Sequence, residues 1–196
     1  MVEDLFDDMK LIPLPSSLAK ALTRIANRKG SSVSVYATDI IAEAIRAEQL
    51  GTDLKDAVDL WKMVSVHKGA GNLNIPRSNF GELIEKLYEH NGVELAKIWY
   101  DSGRWYGAFC STKLNGENIF RFLEKDLLLS WNLDEVEIND EDVMVWVRCT
   151  SFSMSHELTN LLVEYLLGLF HQLGYSEKER DVLRGLIILK FLKNNE

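Results

Sequence analysis

A chain of 196 residues has the length of one large domain, or of a small module followed by a medium one. Hydrophobic residues at 46% with 27% charged residues give an ordinary globular composition with material for a core. No apolar run reaches the length of a bilayer-spanning helix, and the acidic opening MVEDLFDDMK lacks the positive region of a secretory leader.

The net charge of −8 counts against generic nucleic-acid binding, where a basic domain is usual. Its distribution is uneven. Residues 9 to 50 carry six Lys and Arg (Lys10, Lys20, Arg24, Arg28, Lys29, Arg46) against three acids (Asp39, Glu43, Glu48), so a local cationic surface is compatible with the acidic total. Two cysteines, Cys110 and Cys149, make no disulfide framework, which points to a reducing interior and a cytoplasmic protein.

In chain order, Pro15-Ser16-Ser17 reads as a helix entry with a serine cap, followed by Leu18, Leu22, Ile25 and Ala26 on one face. Gly30 supplies the left-handed residue that ends this helix, and Ser32 is placed to cap the next. Val33, Tyr36, Ala37, Ile40, Ile41, Ala44 and Ile45 then recur at helical spacing, the strongest periodicity in the chain. Gly51 closes that helix, and Thr52 is placed to cap a third with Leu54, Ala57, Val58 and Trp61 on its buried side. Residues 67 to 79, HKGAGNLNIPRSN, read as a connector.

Beyond the connector, FGELIEKLYEH reads as a helix stopped at Asn91-Gly92. VELAKIWYDSGRWYGAFC is ambiguous, with an apolar spacing that favours helix and a break near Ser102-Gly103. ENIFRFLEKDLLLSW reads as helix. LDEVEIN and DVMVWVRCTS read as a hairpin, with Met144, Trp146 and Arg148 on one face and Val143, Val145, Val147 and Cys149 on the other. SHELTNLLVEYLLGLFHQLGY is a long, broadly apolar helix ending at Gly174. Ser176 with Glu179 forms a capping box for a short further helix, and GLIILKFLK closes the chain as a buried strand.

The order strand, Leu-Pro, helix, G-x-S-x-S, longer helix over roughly residues 8 to 50, with KGSSVS at its centre, resembles the ribbon-helix-helix family of dimeric DNA-binding proteins. The resemblance implies a homodimer through residues 9–50, with paired strands in the major groove and the amides of Ser32, Val33 and Ser34 on a phosphate. It assigns DNA contact to Lys10, Lys20, Arg24, Arg28, Lys29, Ser32, Val33 and Ser34. The ribbon departs from the pattern, because Met9, Leu11 and Pro13 would face the groove and none makes the bidentate hydrogen bonds that distinguish bases. Over residues 80 to 192 the order of helix, strand pair, long helix with a mid-helix glycine, and strand resembles the small-molecule-binding domains named after vinyl reductase.

For chemistry, Cys149 and His156 fit no standard zinc spacing, and His67, His90 and His171 form no i, i+4 pair with a carboxylate. No G-x-S-x-G, H-E-x-x-H or phosphate-loop motif occurs. The chain therefore reads as non-enzymatic, with no cofactor or metal expected. The dense aromatics include Trp99, Trp105 and Tyr106, which with Arg104 make a candidate ligand pocket as well as ordinary core.

The expected fold class is α+β: a ribbon-helix-helix dimerisation module with a third helix over 1–66, a linker over 67–79, and an α+β sensor or interaction domain over 80–196 with a small sheet and a long buried helix. The expected function is a cytoplasmic transcription regulator whose second domain binds a ligand or partner. The alternative is an oligomerisation or scaffold protein that keeps the dimer fold without binding DNA.

Overall fold

The computed structural model describes residues 12–114 and 118–194. Among these, six helices and four strands make an α+β chain that divides into two compact units, 1–62 and 63–196.

The first unit contains α1 (Ser16–Arg28), α2 (Val33–Gln49) and the opening turns of α3 (Leu54–Ala70). Three signals act as expected. Gly30 and Gly51 hold φ of +68° and +79° at the helix ends, and the Ser32 hydroxyl accepts from the Val35 amide at 3.2 Å. Two differ. Pro15, not a serine, precedes α1 and gives no side-chain cap. Ahead of α3 it is the Asp53 carboxylate that accepts from the Asp56 amide, at 2.7 Å. Ile12 to Pro15 form no strand, and Met9, Lys10 and Leu11 lie outside the described residues, so a ribbon is not shown.

In the second unit α3 ends at Ala70, and 71–76 lead into α4 (Arg77–Lys113). The stop read at Asn91-Gly92 is a kink within one long helix. Asn91 leaves helical geometry at φ −130°, while its side-chain amide donates to the Leu87 carbonyl at 3.3 Å and the helix continues. α5 (Ile119–Ser130) starts at Asn118, whose side chain accepts from the Arg121 amide at 3.1 Å. β1 (Glu135–Glu141) and β2 (Met144–Thr150) form the expected antiparallel hairpin. α6 (His156–Gln172) follows, and then β3 (Tyr175–Leu183) and β4 (Leu186–Lys193) complete a sheet in the order β1-β2-β4-β3. The capping box read at Ser176 and Glu179 is thus strand. Both residues pair with β4, opposite Leu192 and Lys190, and that long-range pairing overrides the local helix signal.

The inner sheet face is Val145, Val147 and Cys149 on β2 beside Phe191, Leu189 and Ile187 on β4, all buried. Both edge strands are heavily charged, with Glu135, Glu137 and Glu141 on β1 and Glu177 to Asp181 on β3. Such edges disfavour pairing with another sheet.

Helix α6 is buried along nearly its whole length, as its apolar breadth requires. Its tightest neighbour is α4. A side chain on Gly168 would run into the Tyr100 carbonyl, whose carbon would lie 2.8 Å away. A side chain on Gly103 would meet the Tyr165 carbonyl in the same way, at 2.9 Å. The expected break near Gly103 is absent, because that glycine serves close approach between two helices. Gly168→Ala is expected to destabilise the protein by about 3 kcal/mol, the upper end of overpacking costs, since the obstacle is backbone that cannot rotate away. A urea titration of the variant beside the wild type measures it.

Candidate functional site

Four elements of the second unit converge on one polar cluster in the core. Asp126, on α5 between Leu123 and Leu127, is 1% exposed, and its carboxylate is bonded to His67 Nε2 near the end of α3. α4 contributes Tyr106 and Cys110, and α6 contributes Tyr165. A charged carboxylate is costly to bury without a partner, and here the imidazole supplies one.

The ionisation of each group follows from that burial. The hydrogen bond to Asp126 raises the His67 pKa. Desolvation opposes it and the Asp126 charge adds to it. Burial pushes the Cys110 thiol up to about 12, with Asp126 adding to the shift while the neighbouring Tyr106 hydroxyl works against it. Burial, then the Asp126 charge, pushes the Tyr106 phenol far above its ordinary range. Burial does the same for Tyr165. The Tyr106 hydroxyl makes no hydrogen bond of ordinary geometry among the described residues.

These states disfavour a thiolate at either cysteine. The nucleophilic form of cysteine is the thiolate, and Cys110 is held as a thiol. Cys149, buried on the inner face of β2, is likewise pushed to about 12 by desolvation. His156 is exposed at the start of α6, and no group of three metal-binding side chains occurs among the described residues.

The residues picked out from the sequence fall as follows. Trp99 is half-buried against Phe80, with ring centroids 6.2 Å apart. Arg104 is exposed and donates to Gln172 at 3.4 Å, and Trp105 is exposed and stacked on Phe109 at 5.3 Å. Only Tyr106 of the four joins the cluster. In the first unit Lys20 and Arg24 line an open hollow on α1, and Arg28 is exposed. The Lys29 ammonium lies 5.5 Å above the Tyr36 ring. Ser32 caps α2 as described, Val33 and Ser34 are exposed in its first turn, and Lys10 is outside the described residues. Sequence reading missed the His67–Asp126 pair. Its one local signal is a lone acid in the apolar run FLEKDLLL.

No family model and no curated protein matches the chain. Solved structures do, at a distance. One comes from work on modulating heme redox potential through protein-induced porphyrin distortion (16% identity over 69% of this chain and 87% of that one, TM-score 0.39). Another comes from probing heme distortion in the H-NOX family (18%, 72% and 90%, TM-score 0.40). A third is a Cs H-NOX mutant with 4-cyano-L-phenylalanine at site 5 (18%, 79% and 92%, TM-score 0.38). These neighbours are not ribbon-helix-helix proteins, and a chain with six helices and a four-stranded sheet among its described residues is unlike that small module. The ribbon-helix-helix and vinyl-reductase resemblances are corrected accordingly. So are the DNA-binding transcription regulator drawn from them and the alternative of a scaffold that retains that dimer fold.

Among the described residues, neither half-buried histidine fits a heme. A porphyrin needs an open slot beside its axial donor, whereas Asp126, Tyr106 and Cys110 around His67 are closed to 3% exposure or less. The other half-buried histidine, His171, has Nδ1 2.8 Å from the Tyr100 hydroxyl, and α4 and α6 meet backbone to backbone one turn away. At these identities and TM-scores the likeness transfers no chemistry to this chain.

Two measurements check the cluster. A histidine whose folded pKa is raised contributes stability that is fully present below its unfolded value of 6.5. That contribution is lost as pH rises through the raised folded value. Unfolding midpoints in urea should therefore fall as pH rises above 6.5 and through the raised value, and His67→Ala should flatten the fall at a cost of about 3 kcal/mol, typical of a broken buried pair. A thiol reagent added to the folded protein should label neither cysteine, and should label both once urea unfolds it.

Proposed function

We propose that the protein is a homodimeric sensing protein that acts by binding rather than by catalysis. The first unit joins two copies, and the second carries the responsive cluster. The observation that carries the dimer is the contrast between the units. From residue 12 to 62 only Ala26 and Ala47 are buried apolar residues, while Leu18, Val35, Ile41, Ile45, Leu50 and Trp61 are exposed. Helices this short do not hold together on two alanines, and small units with little core usually depend on oligomerisation. The repeat of Ile41 and Ile45 along α2 supplies one continuous apolar ridge, which a two-fold related copy of the same ridge covers.

What supports a binding role is the second unit's chemistry. Its thiols are held protonated and its most buried carboxylate is spent on holding an imidazole, an arrangement suited to a change of state rather than to turnover. A cytoplasmic setting belongs to the same proposal, because two buried free thiols need no oxidant. Among the described residues no helix is long and apolar enough to cross a membrane.

Light scattering coupled to size exclusion tests the assembly. The expected result is twice the chain mass for the wild type and a single chain mass for Ile41→Glu/Ile45→Glu. The double variant should also lose helical signal from the first unit while the aromatic near-ultraviolet signal of the second persists. A wild type that stays monomeric at every concentration, with full helicity, overturns the proposal.

A further inference from the structure

We propose that the end of α3 is a proton-controlled strap, fastened to the second unit through His67 and Asp126 and released when the imidazole loses its proton. The inference deepens the reading of the second unit as the responsive part, and it rests on that reading.

The argument starts from how little else holds this segment. From Met63 to Ala70, Val66 joins the core cluster and Ala70 packs against it, Met63 is buried outside that cluster, and Gly69 passes close to the Phe109 ring. These are few contacts for two turns of helix. A further hold among the described residues is the bond from His67 Nε2 to a carboxylate whose side chain is 2% exposed, while the imidazole itself is 16% exposed. The pair is therefore placed with its acid sealed in the core and its base within reach of solvent, so the proton can leave from the imidazole side.

The charge balance explains the release. With His67 protonated, Asp126 has a full counter-charge. With His67 neutral, one hydrogen bond remains, and the sealed carboxylate is left without the charge that offsets its desolvation. The titratable groups facing the pair from the other packed elements do not replace that charge. Tyr106 and Cys110 on α4 and Tyr165 on α6 are all held protonated and neutral by burial. On α3 itself the nearest cation is Lys68, which is exposed. Relief comes when the end of α3 lifts and lets water reach Asp126. Because α3 starts at Leu54 in the first unit, it is the covalent joint between the responsive unit and the assembling one.

Hydrogen exchange of the full-length protein, followed by mass spectrometry from pH 5.5 to 9 and corrected for the intrinsic base catalysis of exchange, tests the strap. Peptides covering 63–70 should lose about tenfold in protection as His67 titrates, while peptides from α6 and β4 keep theirs. Asp126→Asn removes the buried charge, and its 63–70 peptides should then show the same protection at both ends of the range. If the wild-type 63–70 segment keeps its protection throughout, or loses it only together with α6, the strap is refuted. That reading needs no variant to fold. The result is also independent of whether the chain dimerises, so failure of the strap and failure of the assembly proposal are told apart.

Discussion

The second unit depends on two backbones touching. α4 and α6 meet at Gly103 and Gly168, each glycine lying against a carbonyl of the other helix, and Gly107 extends the contact, since a side chain there would come within 2.9 Å of the Leu169 carbonyl oxygen. Helices usually pack 8 to 10 Å apart because side chains intervene. Removing the side chains here brings α6 down onto α4 and leaves its opposite side free for the sheet. Every other packing relation in the unit follows from that. Val145, Leu189 and Phe191 reach α6 from the sheet, with Phe170 stacked on Phe191 at 4.5 Å. Tyr106 and Cys110 are carried into the interior on the same side of α4 that presents Gly103.

The first unit has no such constraint. Its helices are well terminated, by Gly30, Ser32 and Gly51, yet they enclose almost nothing. Good helix ends do not by themselves supply a core. Local signals decide where helices start and stop, and the stability of the helices comes from the apolar face they cover. The two units thus differ in kind, one with an extensive core of its own and one with two buried alanines.

This division also explains what could be read from the sequence. Features set by neighbours along the chain were legible: the hairpin of β1 and β2 with its alternating faces, the breadth of α6, and the caps and glycine ends of α2. Features set by distant partners were not. Ser176 and Glu179 carry a helix-start pattern, but the strand β4 opposite them decides the outcome. Gly103 reads as a breaker until α6 is known to lie against it. Asp126 sits in an apolar run where a single acid passes as one polar position on an amphipathic helix. Only the fold brings His67, fifty-nine residues earlier, to its carboxylate. The aromatics on α4 part for the opposite reason, since residues adjacent in sequence point to different surroundings around a helix.

The choice of an ion pair at that position has a physical logic of its own. Val66 and Ala70 alone would hold the end of α3 by apolar contact, which is roughly proportional to area and indifferent to rotation about the helix axis. A carboxylate accepting from one ring nitrogen is directional, so it fixes which face of α3 is turned inward as well as that the helix is bound. An apolar pair of similar volume would often hold as well or better. What it would not do is respond. A hydrocarbon contact has no state that changes near neutral pH, whereas the imidazole does, and the hydrogen bond to Asp126 moves that change upward from the ordinary imidazole value. The core thus carries an electrostatic cost at one place, where the helix joining the two units ends.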